Sequence, residues 1–337
     1  MRLRLVAAGL LVGVGCSHAP PPTEATKNER HDDWVTALKS DLERIAPNDG
    51  FEGRVRVMHA GTAEIDRTFG NATCLPLGVG RRVLAAVAVG VLVDAGKLDW
   101  NDRLERRLPG TAGTSFAPLT AANLLTQSAG LALDSGGASG LSLDGRLDLA
   151  AKTPLRAAPG TLVDPADDRP WVLVERLVAQ VSGEPFEAFV EHRIASPAGM
   201  TGTSVGPSQS CPDATRGTTT LEDQLRLIDA LRAGKVLSPR IRQELWEPRL
   251  PLSPGSDMAY GVLVRSNGEQ RAVGLSAEGN APAYELWLDP AGADALVLLG
   301  RTPAKTARGV RTALGEFYAL PPGPPHSTTP ARRPPAR

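Results

Sequence analysis

The stretch VLAAVAVGVLVDA, residues 83–95, decides how the rest of the chain is read. It is apolar on every side until Asp94, so a helix formed there has no face to turn to water and must lie in a protein interior. It is too short to cross a bilayer, which takes roughly 20 apolar residues. Gly96 closes it as a C-terminal cap would. A helix buried all round needs other layers about it, and the flanking sequence supplies them. Upstream, Trp34, Val35, Leu38, Leu42 and Ile45 recur at helical spacing and predict an amphipathic helix over 32–45. Val55 and Val57 then alternate with Arg54 and Arg56, Gly61 interrupts, and Ala63, Ile65 and Phe69 follow among polar residues, which predicts a β-hairpin.

Downstream of the buried segment, periodicity and Gly, Pro and Ser punctuation predict helices near 119–126, 171–182, 186–194, 221–233 and 239–246. The pattern then changes to strands at 260–264, 270–275, 283–288 and 295–299, with a last helix over 302–318. One hairpin early and three or four strands late imply a sheet assembled from both ends of the chain. The Pro-rich tail, 321–337, is expected to be disordered.

The 337 residues are 42% hydrophobic and 22% charged, enough apolar material for a substantial core. Acidic and basic side chains are equal in number, so the electrostatic drive for nonspecific nucleic-acid binding is missing and nucleic acid is not an expected partner. The N-terminus reads differently. Arg2 and Arg4 precede an apolar run over 5–14, then Gly15, Cys16 and Ser17, which is an export signal. A cysteine straight after small residues resembles the lipobox of bacterial lipoproteins, which implies lipidation of Cys16, removal of the preceding residues and a flexible tether over 17–30. Gly13 departs from that box, which usually opens on an aliphatic residue; the other reading is an ordinary cleaved signal with an incidental cysteine. The absence of Asp at position 17 implies sorting to the outer membrane, on the periplasmic side. Membrane attachment through Cys16 would leave Cys74 and Cys211, which are either a disulfide in an oxidising compartment or two unrelated buried thiols.

Several phrases, in order across 51–318, carry a resemblance. Phe51, Gly53, Val55, Val57, Phe69 and Gly70 match a hairpin pattern FxGxVxV…G…FG, and Ala95-Gly96-Lys97-Leu98 runs on to Leu108-Pro109 as EGKLxLDDPVxxYLP does. Residues 119–131, LTAANLLTQSAGL, follow ITIRHLLTHTSGL; PGT stands at 159–161, VSG at 181–183, an F…RIxxPxGMTxTS pattern over 186–204 and ELWLDP at 285–290. Together these resemble the β-lactamase-related serine hydrolases, the group with class C β-lactamases, D-alanyl-D-alanine carboxypeptidases, penicillin-binding proteins and esterases. The resemblance implies an α+β, β-lactamase/transpeptidase-like domain over 31–320. Its antiparallel sheet would carry helices on its faces and a mostly helical insertion over about 98–220. No cofactor is implied.

The resemblance also says where catalysis should reside. Such enzymes use a serine nucleophile, a lysine one helical turn later, a Tyr or Ser on a second loop, and a Lys or His on a strand. Their S-x-x-K motif opens the buried helix seventeen residues before the Gly of EGKL, which lands on Val79, with Arg82 in place of the lysine. Valine has no attacking atom, and a guanidinium with a pKa above about 12 cannot act as the base. No serine lies between Phe69 and Arg82 in any register. The Y-x-N motif falls on Pro165-Ala166-Asp167 or Ala166-Asp167-Asp168, neither with a tyrosine. The K-T-G or H-x-G motif falls on Leu275-Ser276-Ala277, without a cation.

Three motifs failing together while the scaffold phrases persist predict a pseudoenzyme with a binding or envelope role. Its cleft would be lined by Val79, Arg82, Asp167, Asp168 and Ser276 and would take a cell-wall or small-molecule ligand. The alternative is hydrolysis through a relocated nucleophile, with Ser128, Ser276 and Cys74 as candidates. Asp164, Asp167 and Asp168 form a polar turn that offers a weak candidate cation site. The five histidines fall in no metal-spaced or triad-like pattern, and no metal site is expected.

Overall fold

The structure is a computed structural model and describes residues 24–133, 140–207, 211, 214–266, 271–290 and 292–317. In chain order the elements are α1 (Glu24–Asn48), β1 (Gly53–His59), β2 (Thr62–Phe69), β3 (Leu75–Pro76), α2 (Gly80–Asp94), α3 (Leu104–Arg107), α4 (Ala121–Leu125), α5 (Leu143–Lys152), α6 (Arg169–Ser182) and α7 (Phe186–Val190). A π-helical turn at Glu191–Ala195 leads into α8 (Ser196–Ala198). There follow β4 (Thr218–Thr219), α9 (Leu221–Arg232), α10 (Pro239–Leu245), β5 (Leu250–Ser253), β6 (Ser256–Met258), β7 (Leu263–Ser266), β8 (Arg271–Ser276), β9 (Pro282–Leu288), β10 (Ala295–Pro303) and α11 (Arg308–Phe317).

Eight strands form one antiparallel sheet in the order β2-β1-β10-β9-β8-β7-β6-β5, so β1 of the N-terminal hairpin pairs with the last strand, β10. The fold is therefore the α+β arrangement with a sheet closed from both chain ends. Two apolar layers cover it. On one face α1 and α11 pack Leu42, Val310 and Leu314 against Val55, Val57, Leu296, Leu298 and Trp287. On the other, α2 packs with α6 and α10 over Val273, Leu275, Leu286, Val297 and Leu299. Both faces of β9 and β10 are thus buried, which is why residues 295–299 read as an unbroken apolar run and β9 as one interrupted only by Glu285, while the hairpin reads as an alternation. Along α2 every residue from Val83 to Gly90 is buried, as its all-round apolarity requires.

The structure departs from the sequence reading in particular places. Residues 24–30, assigned to the tether, are the opening turns of α1; Pro20–Pro22 end the proline run, and Ala25, Lys27, Glu29 and Arg30 are good helix formers. The sheet gains β5 and β6, a hairpin turned at Pro254 and Gly255 (φ +71°). Both are short, and Pro251 sits where a strand lacking one N–H is tolerated, on the sheet edge. Residues 260–262, expected as strand, precede β7 instead. The last strand runs on to Pro303, and the final helix begins at Arg308 rather than at 302. Cys16, the signal and the tail 321–337 lie outside the described residues.

Candidate functional site

The site is built at the mouth of α2. Val79 is the helix N-cap, in helical conformation and with no side-chain capping bond. Its half-buried isopropyl group packs against the core around α2. The first turn closes through its own backbone, Gly80 N–H to Leu77 O at 2.9 Å and Arg82 N–H to Val79 O at 2.9 Å. Gly80 follows because Tyr284 of β9 leaves no room: a Cβ there would lie 2.6 Å from the phenol ring. Tyr284 is fully buried and donates to Gln224 Oε1 at 2.8 Å, and burial pushes its pKa far above the usual phenol range.

The two arginines that follow diverge, because successive residues on a helix point about 100° apart. Arg81 turns into the protein. Its guanidinium takes Glu175 in a bidentate pair (2.6 and 2.9 Å), reaches Glu187 at 2.8 Å, donates to the Val205 carbonyl and lies 4.9 Å over the Phe186 ring. Burial alone would lower its pKa, but the two carboxylates outweigh that and hold it above the ordinary arginine value. Arg82 lies three residues after Val79, on the same face. It stands 5.7 Å over the Trp171 ring, and its hydrogen bond among the described residues is a long one, 3.4 Å to Pro165 O. Burial lowers its pKa, with Asp168, Arg216, Asp167 and Glu278 exerting smaller charge effects.

The second loop carries Pro165, Ala166, Asp167 and Asp168, and Gln127 holds it. Gln127 adopts φ +51°, a left-handed conformation uncommon for a non-glycine residue. Its side-chain amide donates to Asp164 O at 3.5 Å, Pro165 O at 3.2 Å and Asp167 O at 3.1 Å. The three aspartates do not share a focus. Asp164 pairs with Arg156, Asp167 is bidentate with Arg169 at 2.8 Å, and Asp168 lies 3.4 Å from Arg146. Each carboxylate is neutralised by its own guanidinium, so the cation reading of this turn loses its ligands.

The third position splits across the sheet. Leu275 and Ala277 are buried in the α2 layer. Ser276, expected to line the same cleft, instead points to the opposite face. Its hydroxyl donates to Glu285, which also accepts from Trp287 Nε1 at 2.9 Å and from Arg311 of α11. Strand periodicity is the cause: if residues 275 and 277 face α2, residue 276 cannot.

The relocated-nucleophile candidates fare no better. Ser128 is fully buried and shares a 2.7 Å hydrogen bond with Thr126, Ser276 is held by Glu285, and Cys74 is disulfide-bonded to Cys211 with Cα atoms 6.0 Å apart. His59 pairs with Asp294 and His192 with Glu184, neither beside a candidate serine. Sequence reasoning missed Arg81, Gln127, Trp171 and Tyr284. The one local hint was a pair of arginines opening an otherwise apolar helix.

This sheet, with a buried helix whose N-terminus faces a second loop and an inner strand, is the scaffold of serine hydrolases of the β-lactamase type. The Beta-lactamase family matches residues 81–314, more than half of the chain, and the chain belongs to that family. PbpX of Bacillus subtilis (strain 168), assigned as a penicillin-binding protein, is 27% identical over 163 residues; the match covers 45% of this chain and 41% of that relative's length. Among solved structures, a penicillin-binding protein from Bacillus halodurans superposes with a TM-score of 0.69 at 18% identity, covering 83% of this chain and 98% of that one. A D-stereospecific amidohydrolase from Streptomyces sp. superposes with a TM-score of 0.66 at 17% identity, over 83% and 98% of the two chains. At such identities the structural likeness speaks for the fold.

Proposed function

We propose that this chain is an exported, lipid-anchored member of the family that has lost hydrolysis and keeps the fold for binding in the cell envelope, on the periplasmic side of the outer membrane. The observation that carries the reading is Val79 at the α2 N-cap followed by Arg82 one turn on. A serine hydroxyl needs a neighbouring base that gives up and takes back a proton, and neither an isopropyl group nor a guanidinium does so. The family match itself begins at Arg81, two residues past the place of the nucleophile. Loss of the tyrosine and of the strand cation removes the groups that would pass the proton to a leaving group. The anchor rests on Arg2, Arg4, the apolar run and Cys16; no helix among the described residues is long and apolar enough to cross a membrane.

The test is to incubate the purified protein with a fluorescent penicillin and a chromogenic ester. The expected result is neither covalent labelling nor turnover above background, whereas stoichiometric labelling would overturn the pseudoenzyme reading in favour of a nucleophile elsewhere. The double variant Val79→Ser with Arg82→Lys is expected to gain labelling if the cleft retains its shape. For the anchor, mass spectrometry of the membrane fraction is expected to find an acylated N-terminal Cys16, and a soluble, unacylated product refutes it.

A further inference from the structure

Arg81 and Arg82 are adjacent, the first buried and the second half-buried, and they are treated in opposite ways. Arg81 receives everything that makes a buried guanidinium tolerable: two carboxylates, a carbonyl and an aromatic face. Arg82 receives a ring 5.7 Å away and one long contact to Pro165 O. The acids nearest to it are already committed, Asp167 to Arg169 and Asp168 to Arg146. A second cation, Arg216, adds to the positive field at Arg82, while Glu278, the remaining acid that acts on it, is exposed. Below Arg82, the Trp171 indole N–H is buried and has no hydrogen-bond partner among the described residues. A guanidinium carries five donors in a planar fork suited to a carboxylate, so most of this fork is unused. Beside it, Val79 presents a half-buried apolar wall where the nucleophile would stand.

We propose that the mouth of α2 binds a small carboxylate, gripped by the Arg82 fork, with an apolar substituent of the ligand against Val79. The inference rests on the non-hydrolytic reading of the same site and names its ligand class. An arginine suits this role for the reason it fails as a base: its charge is permanent, so the site holds an anion at any physiological pH.

The probes are hexanoate and its uncharged isostere hexanamide, titrated into the full-length chain by calorimetry, with the Arg82 Nε–Hε resonance followed by NMR. Hexanoate is expected to bind and to shift that resonance, and hexanamide to do neither. Arg82→Met is expected to weaken hexanoate binding by about tenfold or more, since a charge-assisted bidentate pair is lost. Its melting temperature should be equal to or above that of the parent, because a half-buried and incompletely paired charge is removed. Arg82→Lys should retain part of the affinity and none of the bidentate geometry. Failure of hexanoate to bind, equal binding of hexanamide, an unmoved Arg82 resonance, or unchanged affinity in Arg82→Met would each overturn the proposal. So would unfolding of Arg82→Met, which would make the arginine a structural one. These outcomes are separable from the hydrolysis test: a protein inert to penicillin and ester that ignores hexanoate loses the ligand assignment alone, and a labelled protein loses the pseudoenzyme reading first.

Discussion

Replacing Arg81 by methionine tests whether the polar cluster beneath the site is what fastens α2 to its neighbours. The guanidinium is 7% exposed, and its two carboxylate partners come from α6 and α7, so one side chain ties three helices. Methionine keeps most of the stem that packs near Phe186 but removes every donor, leaving Glu175 and the Val205 carbonyl without the group that satisfied them. Removing one partner of a buried ion pair costs about 3–5 kcal/mol. Two features pull the value to the lower end. Arg216 lies 3.5 Å from Glu175 and can take over part of its charge, and the Glu187 side chain is 49% exposed and is rehydrated with little loss. The expected loss is therefore about 3 kcal/mol, read as a lower urea midpoint at unchanged slope. Glu175→Met alone should cost less, because Glu187 still serves Arg81. The double variant Arg81→Met with Glu175→Met should recover more than half of the single-variant loss, since the charges left without their partners, Glu187 and Arg216, are the half-exposed ones. An Arg81→Met protein within about 1 kcal/mol of the parent, or a double variant no better than the single one, would show that the cluster is a bystander and refute the reasoning.

Three further outcomes are expected. Burial would raise the Glu187 and Glu222 carboxyls, but Arg81 in the first case and Arg54 with Arg56 in the second hold both below the usual carboxylate range. A depressed folded value means stability that is present above pH 4.5 and is lost as pH falls through the folded pKa, so Glu222→Gln should flatten the acid limb of a stability–pH curve, and an unchanged limb would count against it. Cys74→Ala should destabilise by about 3–5 kcal/mol, because the bridge closes a loop between residues 137 apart; a reducing agent should lower the melting temperature of the parent and leave the variant unmoved. Gly274→Ala should fail to give folded protein, as judged by circular dichroism and size exclusion. A Cβ there would lie 1.9 Å from the Leu286 carbonyl and 2.7 Å from the Trp287 ring, in the middle of the β8–β9 pairing.

What could be seen in the sequence alone has a common cause. The α2 segment admits one environment because it is apolar in every direction, and the hairpin shows its two faces because Arg54 and Arg56 interleave with Val55 and Val57. The identity of residue 79 is plain in the sequence, and Val79 has no hydroxyl wherever the fold places it. The burial of Val55 and Val57 agrees with the alternation, and Arg54 and Arg56, on the other face, are half-buried against Glu222 of α9. Strands β5 and β6 escaped because three or four residues containing Pro251 carry too little pattern to register.

The tertiary structure alone decided the rest. Nothing in the adjacent letters of Arg81 and Arg82 says that one enters a carboxylate cage and the other faces a ring with its fork largely empty; that depends on α6, α7 and the 164–168 loop, which arrive from some 85 to 105 residues away in the chain. The side taken by Ser276 was equally hidden. Alternation reveals an inner face only when the other face is wet, and β8 is covered on both sides, so its residues 272–275 are all buried and polarity marks neither layer. Pairing with β9 and the packing of α2 and α11 on opposite faces settle which of Leu275 and Ser276 looks into the site.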